Sequence, residues 1–370
     1  MVQMRHIMLK PASGMCNLRC EYCFYTDETS KRAVPSRGMM SEETLSNILR
    51  RTLSDVTKEC TIAFQGGEPM LAGLPFFRLA AELTKEYNVN NCRVNFALQT
   101  NGTLLDDEWC KFLKENDFLV GISLDGVRDT HDMHRLDAQG KGTYTRVLRG
   151  IRLLEENGVE FNILTVLTGS VCRAFRRIND FYTRQGWEYR QYIPCLDPLE
   201  EERGGHPWSL TPERFGQYLK TAFDCWYHDI GVGKKTYHRY FDNLLRIMRS
   251  LPPEACGMLG RCTLQYVIEA DGSVYPCDFY MLDRYLLGNL NEQGFGELDK
   301  RRSELMFIGE SAMLPEECVN CRYRPLCRGG CRRDRDYFER GLGVNYYCEA
   351  YKSFFDYAFP RLQALAAGIR

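Results

Sequence analysis

Residues 5–23 read RHIMLKPASGMCNLRCEYC. The run 5–10 predicts a strand, and it feeds a loop in which Cys16, Cys20 and Cys23 stand in a C-x3-C-x2-C spacing. Delivery of reactive side chains to the loop after a strand is the habit of parallel α/β sheets, where function collects at the C-terminal strand ends. The chain repeats the pattern outward from this stretch. Ser41 caps a predicted helix running to about residue 53. A strand over 60–64 precedes Gly66-Gly67-Glu68-Pro69 and a helix over 76–87. A strand over 93–98 precedes Thr100-Asn101-Gly102 and a helix from Asp106. A strand over 118–124 carries Ser123 and leads past Asp125 to a helix over 144–157. Strands over 160–167 and 188–193 follow, separated by a helix over 174–184. Thr211 caps, and Pro212 starts, a helix reaching about residue 228.

Six strand–helix units in series predict a parallel sheet with right-handed crossovers. The expected fold is α/β, a partial (β/α)6 barrel over 1–234 with one open side suited to a bulky substrate. After residue 234 the texture changes. A helix over 237–249 leads to Pro252-Pro253, then to a hairpin (264–269, turn Asp271-Gly272, 273–276). A long cysteine-rich stretch of little periodicity follows, which needs staples such as metal clusters. A helix over 347–367 closes this second domain, 235–370.

Composition narrows the function classes. Lys and Arg number 48 against 49 Asp and Glu, a formal net charge of −1, so there is no basic surplus to neutralise nucleic-acid phosphates. No apolar run approaches the roughly 20 residues of a membrane-spanning helix, and no signal peptide is visible. The expected compartment is the cytoplasm. The arginine-rich run 322–340 reads either as a basic patch facing an acidic partner or as a solvated face.

Cysteine is the outlier, at 17 residues. Thiols stay reduced in the cytoplasm, so a clustered set points to metal ligation or redox chemistry rather than to disulfides. Cys16, Cys20 and Cys23 share one loop. Cys256, Cys262 and Cys277 form a second group, and Cys318, Cys321, Cys327, Cys331 and Cys348 a third. The other six read as small buried hydrophobes. Three thiolates on one loop hold three irons of a [4Fe–4S] cubane and leave the fourth iron open to a substrate. A zinc site completed by a distant ligand is the competing reading, and it makes the chain a zinc-binding interaction protein.

The cysteine spacing, Tyr22 before the third cysteine and the downstream Gly-Gly-Glu-Pro resemble the radical S-adenosylmethionine superfamily. The resemblance implies that S-adenosylmethionine chelates the open iron and is cleaved to a 5′-deoxyadenosyl radical. It places Gly66, Gly67 and Glu68 near the cofactor's amino group, Ser123 at the ribose, Arg135 at the carboxylate and Leu196 at the adenine. The later pattern, Cys262-x9-Gly-x4-Cys277 followed by Cys318-x2-Cys321-x5-Cys327-x3-Cys331 and Cys348, resembles the SPASM extension of peptide-modifying radical enzymes. That extension carries two auxiliary [4Fe–4S] clusters, three clusters in all. By resemblance, Cys256, Cys262, Cys277 and Cys331 hold one, and Cys318, Cys321, Cys327 and Cys348 the other. The alternative leaves Cys256 a spare thiol and one auxiliary iron open.

Asp278 follows Cys277 directly. The chain resembles anaerobic sulfatase-maturating enzymes, which convert a cysteine or serine of a sulfatase to Cα-formylglycine (3-oxoalanine). In that resemblance Asp278 is the general base, and Tyr25 and Gln65 lie near substrate or cofactor. The implied partners are a sulfatase polypeptide presenting Cys/Ser-x-Pro-x-Arg, unfolded or nascent, and an electron donor such as flavodoxin or ferredoxin. No nucleic-acid or membrane partner is expected. A thioether-forming peptide maturase is the nearest enzyme rival. Such enzymes often carry a leader-binding module, for which no room is expected before Arg5.

Overall fold

In the computed structural model, residues 1–337 and 341–368 are described. The chain divides into two compact units: Met1–Leu124, His131–Asn162 and Leu264–Leu305 form the first, and Asp125–Thr130, Ile163–Thr263 and Met306–Arg370 the second.

The first unit is organised around β1 (Val2–Leu9). It pairs in parallel with β2 (Val56–Phe64), with Ile7 opposite Ile62 and Leu9 opposite Phe64. β3 (Arg93–Thr100) and β4 (Leu119–Ser123) continue the sheet in parallel. On its other edge β1 pairs in parallel with β8 (Tyr266–Ile268), which turns back as the antiparallel β9 (Ser273–Tyr275). The short β10 (Gly288–Asn289) closes that edge against β9. The order within the unit is therefore β10-β9-β8-β1-β2-β3-β4. The α/β fold with a mostly parallel sheet is the one expected, and the expected hairpin is β8–β9.

Local signals explain the helices. Ser41 accepts the Thr44 N–H and starts the helix Glu42–Asp55. Asp106 accepts the Trp109 N–H at 2.8 Å and starts Asp107–Glu115. Such caps satisfy one of the four N–H groups that a helix leaves unpaired. Between helices and sheet lies an aromatic core: Phe118 stacks on Phe96 with centroids 4.8 Å apart, and Phe64 meets Phe77 at the same distance.

In the second unit β5 (Phe161–Leu167) runs parallel to β6 (Tyr189–Pro194), with Ile163 opposite Arg190 and Leu167 opposite Pro194. Thr211 caps the helix Pro212–Gly231, which packs along the closing helix Cys348–Gly368. Residues 237–238, expected in a helix, instead form β7 (Tyr237–His238) beside β6, and the helix is Arg239–Met248. The cause is Asp242. Its carboxylate accepts the His238 N–H at 2.7 Å, fixing His238 as an extended first residue outside the helix. The cysteine-rich stretch holds more regular structure than its weak periodicity predicts: Phe295–Glu304 in the first unit, and Phe307–Ala312, Glu316–Val319 and Arg324–Cys327 in the second, are all helical. Arg340, the end of the arginine-rich run, lies outside the described residues. Among the described residues no helix is long and apolar enough to cross a membrane.

Candidate active site and cluster loops

β1 ends at Leu9, and the loop that follows carries the three N-terminal cysteines, each half-buried. The loop is zipped to residues 134–137. Arg19 N–H donates to the Leu136 carbonyl at 2.7 Å, and Glu21 N–H to that of His134 at 3.1 Å. This pairing carries Tyr22 against His134, edge to face at 6.0 Å, and sets the Arg135 guanidinium 5.4 Å from the centre of the Tyr22 ring. Arg135 is thus held beside the Cys20–Cys23 segment. Ser123 is buried at the end of β4. Leu196 is half-buried just after β6, in the second unit.

The Gly-Gly-Glu-Pro turn is shaped by the protein's own chain. Gly66 has φ +87°, and a Cβ there would lie 2.1 Å from the Lys10 side chain. At Gly67 (φ +41°) a Cβ would lie 2.0 Å from the Met15 carbonyl oxygen. Only glycine tolerates both the backbone and the contact. Glu68 is fully buried. Its carboxylate accepts Thr100 Oγ1 at 2.8 Å, the Met70 N–H at 3.1 Å and the Asn101 N–H at 2.9 Å. Burial outweighs these donors and pushes its carboxyl up to about 7. Glu68 therefore ties the second strand's loop to the third's. From that third loop Asn101 Nδ2 reaches Asn17 Oδ1 at 2.8 Å, next to Cys16. Burial also pushes the Cys16 thiol up to about 11, so a metal must offset its ionisation.

Asp278 stands just beyond the β8–β9 hairpin, and both its oxygens are engaged. Lys10 Nζ donates to Oδ1, and Gln65 Nε2 to Oδ2 at 3.1 Å. The Lys10 side chain is completely buried and its ammonium lies 4.5 Å from the Tyr25 ring centre. Tyr25 itself donates to Glu269, which also accepts from Arg32 at 2.6 Å and from the Ala270 N–H at 3.0 Å; Arg32 and Glu269 side chains are both 0% exposed. Gln65 and Tyr25 thus gather around Asp278 and Glu269 respectively. Sequence reasoning missed Lys10, Arg32 and Glu269. The one signal was a lysine placed directly after an apolar strand, at the mouth of the cysteine loop.

In the second unit the thiols sort into two sets. Cys327 is pushed up to about 11, by burial first and then by its neighbours Cys348, Cys318 and Cys321. Cys331 is raised by burial, then by Asp334, Cys256 and Cys262. The three residues between Cys327 and Cys331 explain the parting: Arg328, Gly329 and Gly330 have φ of 53°, 86° and 73°, a left-handed run that reverses the chain. Cys331 consequently turns toward the 256–258 segment, where a Cβ on Gly257 would lie 3.4 Å from its own Cβ. Cys277 belongs to the first unit. Among the described residues no three His, Cys, Asp or Glu side chains converge on a single-ion position. A cubane does not require this, because each thiolate meets a different iron. The donor sets are all sulfur, suiting iron–sulfur clusters.

Comparisons with known proteins agree with this geometry. The Radical SAM superfamily model matches residues 11–178, and the SPASM iron-sulfur cluster-binding domain matches 256–322. The fold and site therefore define a radical S-adenosylmethionine protein with a SPASM domain, which uses [4Fe–4S] clusters and S-adenosylmethionine. The cysteine-type anaerobic sulfatase-maturating enzyme of Clostridium perfringens is 45% identical over 98% of this chain and 99% of its own. The serine-type enzyme of Bacteroides thetaiotaomicron is 31% identical, over 96% of this chain and 89% of its own. A solved structure of native anSMEcpe with bound AdoMet and Cp18Cys peptide superposes with a TM-score of 0.94 at 44% identity, covering 99% of this chain and 100% of that one. The chain belongs to the anaerobic sulfatase-maturating enzymes.

Proposed function

We propose that the protein oxidises a cysteine of a sulfatase polypeptide to Cα-formylglycine, with Asp278 as general base. One observation carries the reading: a carboxylate directly after Cys277 is held at both oxygens, by Lys10 and by Gln65. A carboxylate offers about four lone-pair sites, so two donors fix its direction and leave room for a further proton. When bound, the N-terminal cluster and S-adenosylmethionine supply the 5′-deoxyadenosyl radical that takes hydrogen from the target Cβ. Asp278 then receives the proton of the target thiol. Lys10 and Gln65 keep its oxygens aimed, and the buried Glu269 in the turn of the hairpin is held by Arg32 and Tyr25. Preference for cysteine over serine is supported by identities of 44–45% to cysteine-type relatives against 30–31% to serine-type ones.

The same reading keeps Cys16, Cys20 and Cys23 as ligands of the open cluster, and the two four-cysteine sets as ligands of the auxiliary clusters. Tyr22, Gly66, Gly67, Ser123, Arg135 and Leu196 then bind S-adenosylmethionine. The division of roles falls at 1–234 and 235–370. Thiolate ligands in such number suit the cytoplasm. Anaerobic incubation with a Cys-x-Pro-x-Arg peptide tests the proposal by mass spectrometry, which should find the aldehyde. Asp278→Asn should retain its iron and sulfide and still release 5′-deoxyadenosine, but form no aldehyde. Normal aldehyde yield in that variant would remove Asp278 from the mechanism.

A further inference from the structure

The loop that carries Leu196 is held by residues far along the chain. Cys195 N–H continues the β6 ladder, donating to the Leu167 carbonyl at 3.3 Å. Between Pro194 and Pro212 there is then neither helix nor strand, so side-chain bonds decide where the loop stands. Asp197 closes it on itself, accepting the Gly204 N–H at 2.8 Å and the Ser209 hydroxyl. The two carbonyls that flank Leu196 have distant partners. The Tyr347 hydroxyl donates to the Cys195 carbonyl at 3.3 Å, and Arg333 Nη2 to the Asp197 carbonyl at 2.7 Å. Both donor residues are buried. Arg203 crosses in the other direction, donating to the carbonyls of Arg333 at 2.5 Å, Asp334 at 3.0 Å and Asp336 at 3.2 Å. Arg333 is therefore part of neither a solvated face nor a basic patch, the two readings of the arginine-rich run.

The donors sit beside thiols read as ligands of different auxiliary clusters. Arg333 comes two residues after Cys331, and Tyr347 directly before Cys348. Asn345 ties the two ends together: its Oδ1 accepts the Tyr347 N–H at 2.8 Å, and its Nδ2 donates to the Gly329 carbonyl at 3.1 Å, just before Cys331. We infer that Arg333 and Tyr347 are positioning residues for S-adenosylmethionine, which make the adenine loop depend on the auxiliary clusters. The inference rests on the site reading proposed above, in which Leu196 meets the adenine. Pinning the carbonyls on both sides of Leu196 fixes that residue before the cofactor arrives, so less order is lost on binding. The pins are only as firm as the segment that carries them, and Cys331 and Cys348 anchor that segment when their thiolates are bound to iron. A chain that lacks its auxiliary clusters then holds S-adenosylmethionine weakly and cleaves little of it. This is a coupling free energy between two sites, carried by named hydrogen bonds.

The test is equilibrium dialysis of S-adenosylmethionine against protein loaded to the wild-type iron and sulfide content. Arg333→Met should weaken binding about fivefold or more, as coupling between sites does. Tyr347→Phe loses one longer hydrogen bond and keeps the ring, so its effect should be smaller. In 5′-deoxyadenosine formation Arg333→Met should raise KM for S-adenosylmethionine and leave kcat unchanged, whereas a general loosening of the fold would lower kcat. Hydrogen exchange gives a readout without the cofactor. In the Cys16→Ala/Cys20→Ala/Cys23→Ala protein, loading the auxiliary clusters should slow exchange of the amides over 196–204, and adding Arg333→Met should abolish the slowing. Wild-type affinity in Arg333→Met at full iron and sulfide overturns the inference, as does exchange over 196–204 that ignores cluster loading. If Arg333→Met does not retain its clusters, Tyr347→Phe decides by the same readouts. Leu196→Asp separates the two levels of the reading. Wild-type affinity in that variant removes Leu196 from the adenine site and the inference with it, while weakened affinity there beside unchanged affinity in Arg333→Met overturns the coupling alone.

Discussion

The surroundings of Asp278 and the thiol loops of the second unit both bury charge, and they satisfy it with a different balance of partners. Around Asp278 each buried cation faces a carboxylate: Lys10 with Asp278, and Arg32 with Glu269, Arg32 donating to the Met281 carbonyl as well. In the thiol loops, Arg333 and Arg335 donate to backbone carbonyls, while Arg332 divides its donors between the Phe307 carbonyl and Glu310. The difference follows from what each region lacks. The first is framed by strands whose backbone groups are already paired, so charge is free to orient side chains. The second has short helices and turns that leave carbonyls unpaired, and a guanidinium with five donors supplies what a longer helix would have supplied. Arginine acts there as a fixing for the loops that present cysteines.

The comparison breaks most readily at Arg32. Arg32→Met leaves the Glu269 carboxylate buried without its cation. Removing one partner of a buried pair costs about 3–5 kcal/mol. Chemical denaturation of the apo protein should register a loss of that size. A change below about 1 kcal/mol would mean the pair is not buried in solution.

Glu68 sharpens the contrast, being a buried carboxylate whose partners are the Thr100 hydroxyl and the N–H groups of Met70 and Asn101 rather than, among the described residues, a cation. Its carboxyl is raised from 4.5 to about 7 by burial. The folded state therefore favours the protonated form. That stabilisation is fully present below about pH 4.5 and is lost as pH rises through 7. The shift corresponds to up to about 3 kcal/mol at roughly 1.4 kcal/mol per pH unit. Thermal denaturation of wild type and Glu68→Gln from pH 5 to pH 8 should show the wild-type lead shrinking as pH rises. A lead that widens would mean the carboxylate is held ionised.

Much of the frame was legible from the sequence, because it rests on short-range signals. Ser41 and Thr211 cap helices where their types and positions predict, and the helix expected from Asp106 is capped by that residue. The helix expected over 237–249 begins two residues later, because the Asp242 carboxylate accepts the His238 N–H and keeps that residue extended, a contact no local pattern announces. Of the site, the sequence pointed to the cysteines, the glycine turn, Asp278, Tyr25, Gln65 and Arg135, but not to the buried cations that hold its carboxylates. Lys10 and Asp278 are 268 residues apart, and Arg32 and Glu269 are 237 apart, so no local pattern announces either pair. The glycines show a subtler limit. Gly66 and Gly67 read as an approach to a cofactor, yet Lys10 and the Met15 carbonyl already forbid any side chain there.

The smallest expected effect lies at Arg335. Its side chain is almost fully buried, and it donates to the carbonyls of Ser311 and Met313. Arg335→Met keeps the apolar stem and removes the donors. The carbonyls lose partners but no charge is stranded, so the cost is about 1–3 kcal/mol, below that of Arg32→Met. The Ser311 hydroxyl accepts the Cys262 N–H at 2.8 Å, so loosening Ser311 should also loosen a thiol read as an auxiliary-cluster ligand. Iron and sulfide analysis of Arg335→Met should therefore show a partial loss of cluster, with the N-terminal cluster retained. Full cluster content together with a stability loss as large as that of Arg32→Met would reverse the comparison: arginine on carbonyls would then hold the fold as strongly as arginine on carboxylate, and would do nothing for the cysteines.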